Sequence, residues 1–147
     1  MTEPTFSVNL DIALRYAHGF GALAPYFSAL TRGEALASRC KVCQLTWFAP
    51  RLVCTCRNQD MDWYTLPGTG ELRSMTTGRA LLPATSISGT FTFGLVKMDG
   101  ADNHCLGRVA AGDCRLQAGQ RVRLVKVSRK WAHPSQCCDF EMIATGG

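Results

Sequence analysis

From Thr5 to about Gly33 the apolar positions recur at helical spacing. Leu10, Leu14 and Ala17 mark a first stretch, and Phe20, Leu23, Phe27 and Leu30 a second, at intervals of three, four and three. The glycines of His18-Gly19-Phe20-Gly21 separate the two, so the pattern predicts an N-terminal helical hairpin. Pro25 suits the first turn of the second helix, where its missing N–H is not needed, and Gly33 suits a left-handed cap at its end. The apolar faces either pack on the rest of the chain or offer a docking surface to another protein.

Beyond Pro67-Gly68-Thr69-Gly70 the pattern changes to short β-rich stretches broken by Gly, Pro and Asp. These run from Leu72 to Arg79, Thr90 to Met98, Cys105 to Ala110, Val122 to Lys130 and Cys138 to Ile143. Five strands in a segment of this length predict a small closed barrel of the OB-fold kind. Asp99-Gly100 signals a hairpin between the second and third strands, and Leu116-Gln117-Ala118-Gly119-Gln120 a turn into the fourth. Broken alternation at Leu124 and Val125 is what a β-bulge would produce. There is no internal repeat and no low-complexity tract.

The 147 residues are 46% hydrophobic and 18% charged, which suits a packed chain and excludes both a disordered tail and a two-domain enzyme with a large cofactor fold. Sixteen basic against eleven acidic side chains give a net charge of +5. That balance tolerates nucleic acid, coenzyme phosphates or an acidic subunit without choosing among them. The first basic residue is Arg15 and no apolar run approaches the roughly 18 residues that span a bilayer, so we expect a cytoplasmic protein with no membrane attachment.

Eight cysteines are many for this length. Cytoplasmic thiols stay reduced, so closely paired cysteines point to metal rather than to crosslinks. Cys40-Lys41-Val42-Cys43 lets two thiolates face one ion, and Cys54-Thr55-Cys56 follows ten residues on. Two such knuckles make a four-thiolate tetrahedron, the structural zinc ribbon, with iron in the same cage as the alternative. All four positions of a closed site are taken, so it stabilises the fold and does no chemistry. The second knuckle has one intervening residue where two are usual, which strains it. The chain thus reads as mainly β, with a helical segment at 1–35, a zinc ribbon at 36–66 and a five-stranded barrel at 67–147.

Cys105, Cys114, Cys137 and Cys138 lack ligand spacing and read as small buried apolar residues, with at most one of the last two facing the barrel interior. His18, His104 and His133 sit in no catalytic motif, and there is no phosphate-binding loop. No catalytic residue is assigned. Phe91 and Phe93 alternate on one face of the second strand, and Arg121, Arg123, Lys126, Arg129 and Lys130 make a basic run along the fourth. They would either stack and hold a single-stranded nucleic acid, or fill the barrel and solvate its outside. The second reading is preferred.

The order of parts resembles a known family. Pro25-Tyr26-Phe27-Ser28-Ala29-Leu30-Thr31-Arg32-Gly33, then Leu36-Ala37-Ser38-Arg39-Cys40-Lys41-Val42-Cys43, Pro50-Arg51 before Cys54, and Trp63 ahead of Gly68-Thr69-Gly70-Glu71-Leu72 are similar to the acyl-CoA-associated proteins with a rubredoxin-like zinc ribbon and an OB-fold, called domain of unknown function 35. Leu95-Val96-Lys97-Met98-Asp99-Gly100 and Leu116-Gln117-Ala118-Gly119-Gln120-Arg121-Val122 extend the resemblance. It implies zinc on Cys40, Cys43, Cys54 and Cys56, with Cys56 as fourth ligand and a one-residue deletion before it. It further implies a non-catalytic subunit bound to a thiolase-fold enzyme that makes or breaks a carbon–carbon bond beside an acyl-CoA thioester. Arg79, Lys97 and Arg108 would then lie near coenzyme phosphates, although solvated charge accounts for each. The alternatives from other classes are the single-strand nucleic-acid binder and a free acyl-CoA binder.

Overall fold

A computed structural model describes residues 12–13, 17, 19–81, 88–110, 115–127 and 138–143. The first predicted helix, His18, His133, Cys114, Cys137, Arg129 and Lys130 lie outside the described residues, apart from Ile12, Ala13 and Ala17 of that helix. The second helix is present. After a single 3-10 turn at Gly21–Leu23, α1 runs over Ala24–Arg32 with Pro25 in its first turn. Gly33 takes a left-handed conformation at φ 78°, and the amides of Gly33 and Glu34 reach back to the carbonyls of Leu30 and Ala29. That is the predicted glycine cap.

The buried face of α1 is Tyr26, Phe27, Ala29 and Leu30. Leu23, Phe27 and Leu30 of the predicted stripe lie on it or pack against the core, whereas Phe20, ahead of the helix, is exposed and stacks on Phe27 with ring centroids 3.8 Å apart. The chain's own core covers this face of α1, which favours packing over docking for it.

Three short strands follow: β1 at Ala35–Cys40, β2 at Thr46–Trp47 and β3 at Met61–Leu66, forming an antiparallel sheet in the order β2-β1-β3. Ala35, Ala37, Ser38 and Cys40 of β1 are all buried, and their small side chains let α1 lie close.

The remaining strands are β4 at Thr69–Leu81, β5 at Ser88–Met98, β6 at Cys105–Ala110, β7 at Arg121–Val125 and β8 at Asp139–Met142. They close into a barrel of order β4-β5-β6-β8-β7, antiparallel except for β6 against β8. This is the expected five-stranded barrel, with Gly100 at φ 83° in the β5–β6 turn and Gly119 at φ 88° before β7. At Gly107 the barrel wall is tightest: a Cβ there would lie 2.4 Å from the Phe140 ring and 2.8 Å from the Cys138 carbonyl.

Two local expectations are corrected. The irregular register falls between Leu72 and Ser74 of β4, where the Gly119 and Gln120 backbone inserts its own hydrogen bonds to Leu72. The β7 register is unbroken, and alternation fails after Leu124 because the strand ends at Val125 and Val127 turns to donate its amide to Leu30. Phe91 and Phe93 do not fill the barrel. Gly94, Val96 and Met98 are the inward positions of β5, so both rings are half-buried on the outward face, with their centroids 6.4 Å apart.

One hydrophobic cluster joins Tyr26 and Leu30 of α1, Ala37, Phe48 and Leu66 of the cysteine-rich segment, and Leu72, Val96, Val122 and Phe140 of the barrel. The seam is also hydrogen-bonded. Asn103 clamps the Phe48 peptide, accepting from its N–H at 2.9 Å and donating to its carbonyl at 2.7 Å. Asp102 accepts from the Thr46 amide at 2.7 Å and returns its own amide to the Thr46 carbonyl at 2.8 Å.

Candidate metal centre

β1 delivers Cys40 at its last residue, and the chain then folds back at once. The amide of Gln44 bonds the Cys40 carbonyl at 3.0 Å, and the Cys40 amide bonds the Leu45 carbonyl at 2.9 Å. Gln44 adopts φ 62° to make this reversal. The second knuckle is built alike, with Arg57 at φ 68° donating to Cys54 and the Cys54 amide donating to Asn58. The hairpin between them brings the four predicted ligands together. All four sulfurs of Cys40, Cys43, Cys54 and Cys56 lie within 4.8 Å of one another, with Cys40 3.6 Å from Cys56 and Cys43 3.3 Å from Cys54.

A tetrahedral ion with metal–sulfur bonds of about 2.3 Å sets its sulfurs roughly 3.8 Å apart, so the separations fit one such ion. The short Cys54-Thr55-Cys56 spacing has not pulled the fourth sulfur out of reach. Four soft thiolates in this arrangement suit zinc or iron.

The surroundings fit a bound cation as well. The Cys43 amide, followed by the Asn58 side chain and the Val42 amide, holds the Cys40 thiol down at about 6 against its burial. The Cys56 amide, then Cys43 and Trp47, lowers Cys54. Cys43 is favoured as thiolate by the Leu45 amide but is pushed up to about 12 by Cys54, by burial and by Cys40 and Cys56. Four adjacent sulfurs cannot all ionise unaided, and a divalent cation removes that conflict. One buried donor also lacks a hydrogen-bond partner among the described residues, the indole Nε1 of Trp47. Lys41 pairs with Asp60 at 2.9 Å and Asp62 at 3.4 Å, which fixes the outer edge of the first knuckle.

Arg79, Lys97 and Arg108 are not gathered into one site. In the β4–β5 register Arg79 faces Thr90 and Lys97 faces Glu71, so seven residues of strand, about 23 Å at roughly 3.3 Å each, separate their levels. Arg108 pairs with Phe93, which puts it and Lys97 on the face opposite Arg79. Its guanidinium grips Asp139 through two bonds of 2.9 and 3.0 Å and lies 5.6 Å from the Phe91 ring. The Phe91 ring and this ion pair border a cleft of about 440 Å³ at the β5–β6–β8 wall.

Cys105 and Cys138 are buried, and burial raises both thiols, that of Cys138 to about 11. Cys138 takes the Tyr26 hydroxyl at 3.2 Å. They are packing residues, as their spacing implied. His104 is exposed in the β5–β6 turn. In the basic run, Arg121 is paired with Asp99 and Arg123 with Glu141, which neutralises two of its charges on the outer wall. Sequence reasoning passed over Asp102, Asn103 and Asn58, each of which acts through a partner distant in the chain.

No helix among the described residues is long and apolar enough to cross a membrane. No family model and no curated protein matches the sequence. Solved structures do match. The chain in "Ltp2-ChsH2(DUF35) aldolase" superposes with a TM-score of 0.61 at 21% identity, over 87% of this chain and 98% of that one. A DUF35 protein of unknown function from Sulfolobus solfataricus superposes at 0.59 with 12% identity, over 84% and 87%. Both neighbours are named as DUF35 proteins, and the superpositions show that this chain shares their fold; in this chain it comprises a short N-terminal helix and a closed five-stranded barrel, with four cysteines clustered between them.

Proposed function

We propose that this chain is a non-catalytic accessory subunit of a thiolase-type acyl-CoA complex, with zinc held by Cys40, Cys43, Cys54 and Cys56 as scaffold. The observation that carries the reading is the four-sulfur cluster itself, whose sulfurs lie within 4.8 Å of one another. Four protein ligands complete a tetrahedron and leave no position for water or substrate. Zinc there would supply folding free energy, and the chain's own residues position the sulfurs and exclude solvent from two of them. The reacting groups and the coenzyme site are assigned to a thiolase-fold partner. One structural neighbour, Ltp2-ChsH2(DUF35) aldolase, couples a DUF35 chain to an aldolase, which supports the kind of partner.

An outward apolar strip gives such a partner a surface. Leu95 and Leu106 are cross-strand partners and both are exposed, 37% and 62%, beside the half-buried Phe93. Exposed apolar patches of this kind mark interaction sites. The single-strand binding alternative loses support from the ion pairs of Arg121 and Arg123.

Co-expression with a thiolase-fold protein, sought among the neighbouring genes, tests the reading. The two should elute together, Leu106→Glu should weaken the complex at least about tenfold, and carbon–carbon chemistry should need both chains. Separate elution of two folded proteins would refute it.

A further inference from the structure

A second cavity, of about 370 Å³, lies at the seam where α1, the cysteine-rich segment and the barrel meet. Tyr26 and Phe27 of α1, Cys105 of β6 and Cys138 just before β8 give it a buried and mainly apolar lining. The polar atoms inside are already engaged. The Tyr26 hydroxyl lies 3.2 Å from the Cys138 sulfur, and the Asn103 side-chain amide donates to the Phe48 carbonyl. The interior therefore suits an apolar guest, since a polar one would give up water without finding partners.

No acidic residue lines this cavity, whereas Arg51 does. Arg51 is fixed in place: its backbone amide donates to Ser38 Oγ at 2.8 Å, and its guanidinium lies 4.2 Å from the Trp47 ring centroid. Asp62, which borders a smaller neighbouring cleft together with Arg51, is paired with Lys41 at 3.4 Å. A positioned guanidinium beside an apolar hollow suits a carboxylate attached to an apolar body. Leu106 ties the hollow to the outer surface. It lines the cavity and is also the cross-strand partner of Leu95 in the exposed apolar strip. Binding energy at protein interfaces concentrates in apolar anchors seated in such hollows, with the contacts around them excluding water.

We propose that the seam cavity is the anchor pocket for the partner subunit: it takes one bulky apolar side chain of the thiolase-fold chain, and Arg51 pairs with a carboxylate beside that side chain. The inference rests on the reading of this chain as an accessory subunit and adds what the partner must present to it. Because the cavity walls come from α1, the cysteine-rich segment and the barrel, a seated anchor also holds these three together.

The test uses the full chain and a thiolase-fold partner, with the dissociation constant of the complex measured at low and at high salt. Arg51→Met keeps an unbranched stem over Trp47 and removes the charge. It should weaken the complex at least about tenfold at low salt and leave a smaller salt dependence than the wild type shows. His104→Trp, at an exposed lining position, narrows the cavity while leaving Arg51 in place and should weaken the complex by a similar factor. Arg115→Gln removes one positive charge at an exposed position outside the cavity and should change the affinity less than about twofold. The melting temperature of each isolated variant checks that the fold is kept. A wild-type complex whose affinity is unchanged in both Arg51→Met and His104→Trp would overturn the inference alone, and 4-phenylbutyrate bound by the isolated chain but not by Arg51→Met would then give the cavity to a small carboxylate instead. A wild-type chain that forms no complex with the thiolase-fold protein would overturn the reading beneath it.

Discussion

Asn103→Ala is the sharpest test of how the cysteine-rich segment is joined to the barrel. The Asn103 side chain satisfies both the N–H and the carbonyl of Phe48, at 2.9 and 2.7 Å, while the Phe48 ring is wholly buried in the shared core. Truncation leaves two backbone groups unpaired, each costing about 1–3 kcal/mol if water cannot reach it. Asn103 is itself half-buried, so some water enters, and the lower part of that range applies. The expected loss is about 2–3 kcal/mol. For a chain of this size each kcal/mol moves the melting midpoint by about 2–4 °C, so Tm should fall by about 4–12 °C. Asn103→Asp keeps the acceptor, loses the donor and should fall between the two. Calorimetry of the metal-loaded protein at neutral pH measures the shift. Metal content should not change, because the clamp lies at the seam and the sulfurs do not touch it. An unchanged Tm, or separate melting transitions for ribbon and barrel in the wild type, would refute the reasoning.

Three further outcomes follow from particular contacts. Cys40→Ser removes a fully buried ligand, so metal binding, ribbon folding and partner association should fail together, as measured by metal analysis and amide exchange. Gly107→Ala puts a methyl against Phe140 and the Cys138 backbone and should lower stability by about 1–3 kcal/mol in urea titration. Arg121, followed by Thr69, holds the Asp99 carboxyl below its ordinary value. That contribution is present above about pH 4 and is lost as the pH falls through the lowered folded value. Arg121→Gln should therefore reduce stability at neutral pH and flatten its decline in acid, read from denaturation midpoints across pH.

Much of this architecture was legible because local chemistry admits few alternatives. Pro25 and Gly33 bracket a helix for reasons that need no tertiary contact, and Cys40, Cys43, Cys54 and Cys56 are close in sequence, so their convergence needs only one hairpin. The barrel strands were legible as alternating segments, but which face turned inward was not. In β5 both sets of alternate positions are apolar, and the inward set begins with Gly94, which carries no side chain to announce itself. Phe91 and Phe93 consequently took the interior role that Val96 and Met98 hold. The bulge was misplaced because a strand ending looks like a lost residue in the pattern, and only pairing partners separate the two. β1 carries no β-branched residue and sets Arg39 on one face and Ser38 on the other, so packing against α1 rather than a strand pattern defines it. Asn103 was passed over because its role depends on Phe48, across the fold.

Thioester turnover by the isolated chain, carrying one equivalent of zinc, bears most directly on the division of labour between scaffold and catalyst. The rate should equal the uncatalysed background and rise only when the thiolase-fold subunit is added. Substrate conversion by this chain alone, abolished by substitution of one of its own residues, would contradict the account.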